Sequence, residues 1–239
     1  MNAIQITGLS RDYGKRRVVD RLSLTVAQGE LFALLGVNGA GKSTTIKMLC
    51  CLTAPTEGDA ALMGRSVRTD SPGAREVLAV SPQETAVAPN LTVRENLELM
   101  AGVYRRPREA AEEVLAGLGL GQWAGQRART LSGGWQRRLS IAMALVSRPE
   151  VLFLDEPTLG LDVLARRELW GVIRGLKGRT AIVLTTHYLE EAEALADRIG
   201  VMAAGRLRAV GTAEELKALA GCETFEDAFV SLAGEGAAS

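Results

Sequence analysis

Five short apolar runs constrain the fold of this chain more than any other feature of its sequence. They lie at Leu31–Leu35, Val77–Val80, Val151–Leu154, Ala181–Thr185 and Ile199–Met202. Because apolar and polar residues do not alternate within them, both faces of each strand should be buried, as in a parallel sheet covered by helices. The pattern therefore predicts an α/β fold.

A helix-rich segment, Thr92–Leu145, interrupts the series between the second and third runs. Thr92 and Glu95 have the spacing of a capping box, which predicts a helix start. A second helix is predicted over Pro107–Leu118 and a third beginning near Trp135, because apolar residues recur there on one helical face. We place this helical insertion at about residues 84–140.

The first part of the chain predicts a small accessory sheet. Apolar residues cluster at Ile4 and Ile6, at Val18 and Val19, and from Leu22 to Val26, with polar turns between them. Such clusters predict short antiparallel strands.

The region after the last apolar run predicts turns followed by one helix. Turns are predicted at residues 205, 206 and 211, and Thr212 with Glu215 forms a second capping box. The final stretch, Gly234–Ser239, is small and polar, so we expect it to be frayed. We divide the chain into a domain of residues 1–220 and a short C-terminal tail of residues 221–239.

Charge and composition exclude several classes of protein. The chain has 28 Lys and Arg against 28 Asp and Glu, a net charge of zero, which argues against a typical nucleic-acid-binding protein. The longest stretch without these residues, Val114–Gln126, is shorter than the roughly 20 apolar residues that a membrane-spanning helix needs. The first ten residues lack a secretory signal pattern, so we expect a cytoplasmic protein. Three cysteines without CxxC spacing and one histidine make a Cys/His zinc site improbable.

A glycine-rich segment, Gly36–Ser43, matches the phosphate-binding pattern GxxxxGK[ST]. It follows the run Leu31–Leu35 and precedes a helix-compatible segment, Thr44–Leu49, so strand, loop and helix are in the required order. Lys42 is predicted to neutralise the β- and γ-phosphates, and the Ser43 hydroxyl to bind Mg²⁺. The alternative is a glycine-rich turn with an exposed lysine. The predicted nucleotide-binding residues of this segment are Gly36, Val37, Asn38, Gly39, Ala40, Gly41, Lys42, Ser43 and Thr44.

Two acidic residues, Asp155 and Glu156, directly follow the buried run Val151–Leu154. In a parallel sheet this position lies at the edge where a phosphate loop holds its ligand. Asp155 is predicted to orient Mg²⁺, and Glu156 to act as the general base on an attacking water. The alternative is a solvated acidic turn before Pro157.

A third motif, Leu131–Gln136, reads Leu-Ser-Gly-Gly-Trp-Gln. Taken alone, it could be a helix N-cap and a tight turn. Together with the phosphate loop and the acidic pair, it resembles the nucleotide-binding subunit of the ATP-binding-cassette (ABC) family. The resemblance covers about Ile4–Leu219, nearly the whole chain. It implies a P-loop NTPase (RecA-like) core with a small antiparallel β-subdomain and an inserted α-helical signature subdomain, so residues 1–220 would be the nucleotide-binding domain.

The resemblance also implies roles for residues that their own chemistry leaves open. Tyr13 would stack on adenine, Gln83 would contact Mg²⁺ and water, and His187 would contact the γ-phosphate. On composition alone these are a packing tyrosine, a loop amide and a structural histidine. Gly160–Asp162 resembles the D-loop, where two subunits meet. Ser132, Gly133 and Gly134 would bind the γ-phosphate held by a second subunit, although Trp135 stands where the family commonly has Gln or another polar residue.

The function implied by the resemblance is ATP hydrolysis with ATP and Mg²⁺, coupled to head-to-tail dimerisation of two cassettes. Separate transmembrane permease subunits would be the partners, at the cytoplasmic face of the membrane. Leu91–Leu97 and Phe225–Phe229 resemble bacterial exporter cassettes, although the second segment could equally be a short helix that caps the core.

Three other functions remain open at this point. The main one is a soluble ABC ATPase that acts on ribosomes or nucleic acid, which the neutral net charge disfavours. A P-loop kinase would leave the Leu-Ser-Gly-Gly motif unexplained. A binding-only cassette is disfavoured by Glu156.

Overall fold

The computed structural model describes residues 1–234, and the remaining five residues of the predicted frayed end, 235–239, lie outside this range. The fold is α/β, as the sequence predicts. The strands, in chain order, are β1 (Asn2–Tyr13), β2 (Arg16–Ala27), β3 (Leu31–Leu35), β4 (Glu57–Leu62), β5 (Arg65–Ser66), β6 (Leu78–Ser81), β7 (Val151–Asp155), β8 (Ala181–Thr186), β9 (Arg198–Ala203) and β10 (Arg206–Gly211). They form two sheets, with the strand orders β10-β9-β3-β8-β7-β6 and β2-β1-β4-β5.

Nine helices cover these sheets within the described residues. They are α1 (Lys42–Leu49), α2 (Ser71–Val77), α3 (Val93–Val103), α4 (Arg108–Gly117), α5 (Gly133–Leu145), α6 (Val163–Arg174), α7 (Leu189–Leu195), α8 (Ala213–Ala220) and α9 (Phe225–Gly234), with short 3₁₀ turns at Gly121–Trp123 and Ala128–Thr130. Each of the nine is too short or too polar to cross a bilayer.

The larger sheet forms from the five apolar runs. Strands β9, β3, β8, β7 and β6 are parallel, and every residue of β3, β7 and β8 is buried. The carboxyl ends of parallel strands share one edge of a sheet, which is where such folds bind ligands. Residues following β3, β6, β7 and β8 therefore meet there, although the chain separates them widely.

Both predicted capping boxes are confirmed. Thr92 caps α3 with Glu95, and Thr212 caps α8 with Glu215, each through reciprocal side-chain and backbone bonds. The second predicted helix agrees with α4 to within one residue at each end, and the third begins at Gly133, two residues before Trp135.

The strand predicted at Val77–Val80 lies one residue further along the chain. Val77 ends α2, which begins after Asp70, whose carboxylate accepts a hydrogen bond from Gly73 N at 3.2 Å. Gly73 and the proline before it look like turn residues, but both are compatible with the first turn of a capped helix. Strand β6 therefore starts at Leu78.

The accessory sheet is larger than predicted. The three apolar clusters belong to two long antiparallel strands, β1 and β2, rather than to separate short ones. Strands β4 and β5 extend the sheet. The sequence signal for these two is weak because they contain few β-branched or aromatic residues.

The predicted turns at residues 206 and 211 are also wrong, because these residues begin and end β10. The turn that joins β9 to β10 consists of Ala204 and Gly205, with φ of 49° and 78°. Two consecutive left-handed residues form the type of turn that antiparallel hairpins favour. The sequence analysis missed this edge strand because Gly205 before it and Gly211 at its end are typical of turns.

The helical segment and the main sheet each have an apolar cluster. Helices α3, α4 and α5 pack around an apolar cluster of their own, which includes Leu97, Leu115 and Leu139. At the other end, α9 buries Phe225 and Leu232 in a cluster with β3 and β9. The C-terminal helix therefore packs on the main sheet, as the alternative interpretation of this segment expected.

Candidate nucleotide-binding site

A cleft of about 610 Å³ opens at the carboxyl edge of the large sheet. Eleven of the predicted site residues line it, and so do Arg16, Val18 and Leu159, which the sequence analysis did not select. The eleven are Tyr13, Asn38, Gly39, Ala40, Gly41, Lys42, Ser43, Thr44, Gln83, Glu156 and His187.

The glycines of the loop between β3 and α1 are required by close contacts. A Cβ on Gly36 would lie 2.3 Å from the carbonyl oxygen of Met202. Gly41 has a φ of 105°, and its Cβ would lie 2.8 Å from the carbonyl oxygen of Val18. Only glycine fits these two positions without displacing backbone. The loop is thereby held against the sheet with α1 beginning directly after it.

Lys42 is the first residue of α1 and is 5% exposed. Its ammonium donates to the carbonyl oxygen of Gly36 at 2.7 Å and lies 3.9 Å from a carboxylate oxygen of Glu156. Burial lowers the pKa of Lys42, while the charges of Glu156 and Asp155 oppose this change. The result is a buried cation at the wall of the cleft, next to loop N–H groups and a helix N-terminus, which together favour a phosphate ligand.

Asp155, the last residue of β7, lies behind the cleft and contacts two hydroxyl groups. Ser43 Oγ is 3.3 Å from Asp155 Oδ1, and Thr185 Oγ1 donates to the same oxygen at 2.5 Å. Hydroxyl and carboxylate oxygens are the ligands that Mg²⁺ prefers. The donor set therefore fits a magnesium ion between Ser43 and Asp155.

Glu156 has a strained backbone and a buried carboxylate. Its φ is 48°, which is unusual for a residue other than glycine, and its N–H donates to both the carbonyl oxygen and the hydroxyl of Thr185 at 3.1 and 3.0 Å. His187 Nδ1 is 3.3 Å from Glu156 Oε1, although too poorly aligned for a hydrogen bond. Strain of this kind persists where the surroundings hold a side chain in place. Here they hold the carboxylate between Lys42 and His187.

The outer wall of the cleft carries exposed aromatic and polar side chains. Tyr13 is 46% exposed, and the guanidinium of Arg11 lies 4.7 Å from the centre of its ring. Gln83 is exposed in the loop after β6. Arg16 faces Tyr13 across the β1–β2 pair and also lines the cleft. An exposed ring and a cation at the rim are suited to a planar base and an anionic group.

The remaining predicted residues lie elsewhere. The carbonyl oxygens of Gly36 and Val37 accept from the ammonium of Lys42. Asp162 caps α6 by accepting from the N–H groups of Leu164 and Ala165. The signature residues, Ser132, Gly133 and Gly134, start α5 and do not line the cleft. A separate small hollow includes Ser132 and Gly134.

Trp135 packs within its own subunit. Its ring lies 5.4 Å from that of Trp123, and the guanidinium of Arg138 lies 4.3 Å from its centre. The unusual residue of the signature motif is thus half-buried within the first turn of α5.

The most informative residue that the sequence analysis did not select is Thr185. Its hydroxyl contacts both acids at once, donating to Asp155 and accepting from the N–H of Glu156. Strand β8 runs beside β7, with Thr185 opposite Asp155. A hydroxyl residue at the carboxyl end of a buried strand was the available signal, but the strand order was needed to use it.

Comparisons with known proteins agree with this geometry. Residues 19–159 match the family described as ABC transporter. The chain is 44% identical to the daunorubicin/doxorubicin resistance ATP-binding protein DrrA of Streptomyces peucetius, over 92% of this chain and 68% of that protein. It is 42% identical to the Nod factor export ATP-binding protein I of Rhizobium etli, over 95% and 73%.

Solved structures are also similar over most of their length. An ATP-binding subunit of an ABC transporter superposes with a TM-score of 0.85 at 29% identity, covering 96% of this chain and 99% of that one. The cassette MJ0796, solved as a dimer in a post-hydrolysis state with ADP and Pi, gives a TM-score of 0.76 at 26% identity, over 87% and 98%. Fold, motif geometry and relatives lead to one conclusion: the chain belongs to the ABC transporter family, as one of its ATP-binding subunits.

Proposed function

We propose that this chain hydrolyses ATP to ADP and phosphate and uses the reaction to power export through separate membrane subunits. The observation that carries the proposal is the position of Glu156, held at the cleft by a left-handed backbone between Lys42 and His187. A carboxylate so placed is suited to accept a proton from an attacking water.

The phosphate loop and Lys42, at the wall of the cleft, would hold the phosphates. Lys42 and the N–H groups of residues 36–44 bind the β- and γ-phosphates, with the N-terminus of α1 adding favourable partial charge. Ser43 and Asp155 would hold Mg²⁺, with Gln83 completing the set. Bound there, Mg²⁺ would neutralise charge that develops on the phosphate oxygens.

The residues at the rim would orient the nucleotide. Tyr13 offers its exposed ring to the adenine, and His187 contacts the γ-phosphate from the side of Glu156. Thr185 keeps both acids in place through its hydroxyl.

We propose a dimer because the signature motif does not line the cleft of its own chain. Ser132, Gly133 and the N-terminus of α5 would complete the γ-phosphate site of a second cassette, and Asp162 lies near the junction. The structurally similar cassette MJ0796 was solved as a dimer. Two ATP molecules would then join two subunits head to tail, and hydrolysis would release them.

Transport partners are proposed from the named relatives, a drug-resistance protein and a Nod factor export protein. We propose a peripheral position at the cytoplasmic face of the membrane, with residues 1–220 as the nucleotide-binding domain. An ABC ATPase acting on ribosomes is not favoured, since these relatives are transporter subunits. Affinity purification from native membranes should recover a polytopic membrane protein, and recovery of ribosomes instead would contradict the export assignment.

The general-base assignment is tested with Glu156→Gln. The variant should bind ATP with near-normal affinity, lose about 99% of turnover, and accumulate as an ATP-dependent dimer, because proton acceptance is lost while phosphate binding is kept. Phosphate release and size-exclusion chromatography measure the two effects. Glu214→Gln, an exposed substitution in α8, is the matched control and should behave as wild type. Near-normal phosphate release from Glu156→Gln would refute the assignment.

A further inference from the structure

Arg137, in the signature helix α5, is a buried cation that bonds to backbone rather than to an acid. It is 4% exposed, and its guanidinium donates to the carbonyl oxygen of Pro82 at 2.6 Å and to that of Gln83. Burial lowers the pKa of Arg137, and Asp155 is the charge that opposes this. A buried cation is retained where its donors satisfy specific partners.

A further hydrogen bond joins α5 to the end of β6. Ser140, one turn along α5, lies 3.0 Å from Ser81, hydroxyl to hydroxyl, and both residues are buried. Residues 137 and 140 share one face of the helix, since side chains three apart are neighbours. The helix is therefore attached to residues 81–83 at three consecutive positions, from the end of β6 into the loop of Gln83.

The adjacent arginine points to a different element. Arg138 pairs with Glu168 of α6 at 3.4 Å and stacks on Trp135. The two arginines thus divide the contacts of α5: one holds the Gln83 loop, and the other holds the helix that follows the D-loop. Of these two arginines, Arg137 is the one that contacts a residue lining the nucleotide cleft, Gln83.

We propose that Arg137 is a positioning residue that joins the Gln83 loop to the signature segment, so that nucleotide in one subunit's cleft sets the placement of the donors presented to the second subunit. This rests on the proposed function. The guanidinium is a planar fork with two parallel donors, which suits two successive carbonyl groups. Separating the elements would leave these carbonyls unpaired, so a displacement of the loop carries α5 with it.

The test compares Arg137→Met with Arg137→Lys in the full-length chain. Arg137→Met should lower kcat by about 10- to 100-fold and weaken ATP-dependent dimerisation in the Glu156→Gln background, while the affinity of the monomer for ATP stays within about threefold. Arg137→Lys, which keeps the charge but not the fork, should recover part of the kcat. This split between kcat and binding, with its partial rescue, is not expected from a general loss of stability.

Arg106→Met is the matched control. Arg106 also donates to a backbone carbonyl of the helical part, that of Ser147 at 2.7 Å, but it does not touch the Gln83 loop. Its loss should leave kcat within about twofold. If Arg137→Met keeps wild-type kcat, or loses ATP affinity as strongly as dimerisation, the proposal is overturned. If Arg137→Met does not fold, wild-type kcat and dimerisation in Arg137→Lys would overturn it. Absence of ATP-dependent dimers from Glu156→Gln itself would instead reject the proposed function.

Discussion

The nucleotide cleft and the signature segment satisfy their polar groups in opposite ways. In the cleft, Lys42, Asp155 and Glu156 are each at most 9% exposed and contact one another or a shared neighbour. In the signature segment, Ser132 and Gly133 are exposed, and the Ser132 hydroxyl makes no capping bond to the helix that it begins.

The difference separates a region whose charged side chains are paired within the chain from one whose polar groups are left without partners among residues 1–234. The N–H groups that begin α5 have no intrahelical acceptors, and the first such bond is from Gln136 to the carbonyl oxygen of Ser132. A helix start of this kind, facing outward with small residues, is ready to receive an anion from another molecule. In the proposed dimer, that anion would be the γ-phosphate of ATP in the cleft of the second subunit.

Complementation between two inactive variants is the strongest test of whether the cleft of one chain works with the signature segment of another. Lys42→Met removes the cation of the cleft, and Ser132→Arg blocks the signature segment, so each alone should lose about 100-fold or more of ATPase activity. Mixed dimers pair the intact cleft of one chain with the intact signature of the other. An equal mixture should therefore recover about one quarter of wild-type activity.

Phosphate release from the separate and mixed variants measures this. Mixing either variant with itself at doubled concentration is the control for simple concentration effects. If the mixture stays inactive while both variants still bind the wild-type chain, the two regions do not meet across a dimer.

A moderate effect is expected at Trp135. Trp135→Gln removes the contacts with Trp123 and Arg138, so it should weaken ATP-dependent dimerisation by about tenfold while the monomer keeps its ATP affinity. Trp135→Phe retains a ring and should lose less. Analytical ultracentrifugation and nucleotide titration measure the two quantities, and equal losses in both would show that Trp135 does not act on dimerisation through the signature segment.

The smallest expected effect concerns Glu191, a buried acid in α7. Glu191 is fully buried; Trp170 Nε1 donates to one of its oxygens at 3.1 Å, and the other has no partner within residues 1–234. Burial raises the pKa of Glu191 above 4.5. The folded state therefore favours the protonated form, whose contribution to stability is complete below pH 4.5 and is lost as the pH rises through the raised pKa.

Glu191→Gln mimics the protonated form at every pH. Its melting temperature should exceed that of the wild type by about 2–4 °C at pH 8 and approach it near pH 4.5. Thermal unfolding across this range measures the difference. A constant difference would show that ionisation of Glu191 does not affect stability.

The sequence predicted those parts of the site whose residues are consecutive. Gly36–Ser43 and the pair Asp155–Glu156 are contiguous, so their order relative to a strand is enough to place them. Thr185 and Arg137 were not selected, because their bonds to Asp155 and to Gln83 join residues 30 and 54 positions apart. Such pairings depend on which strands and helices are neighbours.

Errors in the fold have a similar origin. Strands β4, β5 and β10 are polar edge or accessory strands, whose pairing rather than composition makes them strands. Helix α2 depends on one cap at Asp70. Local propensity is weak in all four, and tertiary context decides them.

The sequence by itself determined the α/β class, the phosphate loop, the acidic pair and both capping boxes, because each depends on neighbouring residues and on burial. Only the tertiary structure decided that β8 lies between β3 and β7, which brings Lys42, Asp155, Glu156 and His187 together. It also placed Ser132 outside that cleft and tied its helix to Gln83 through Arg137. The physical reason is that the order of strands in a parallel sheet differs from their order in the chain.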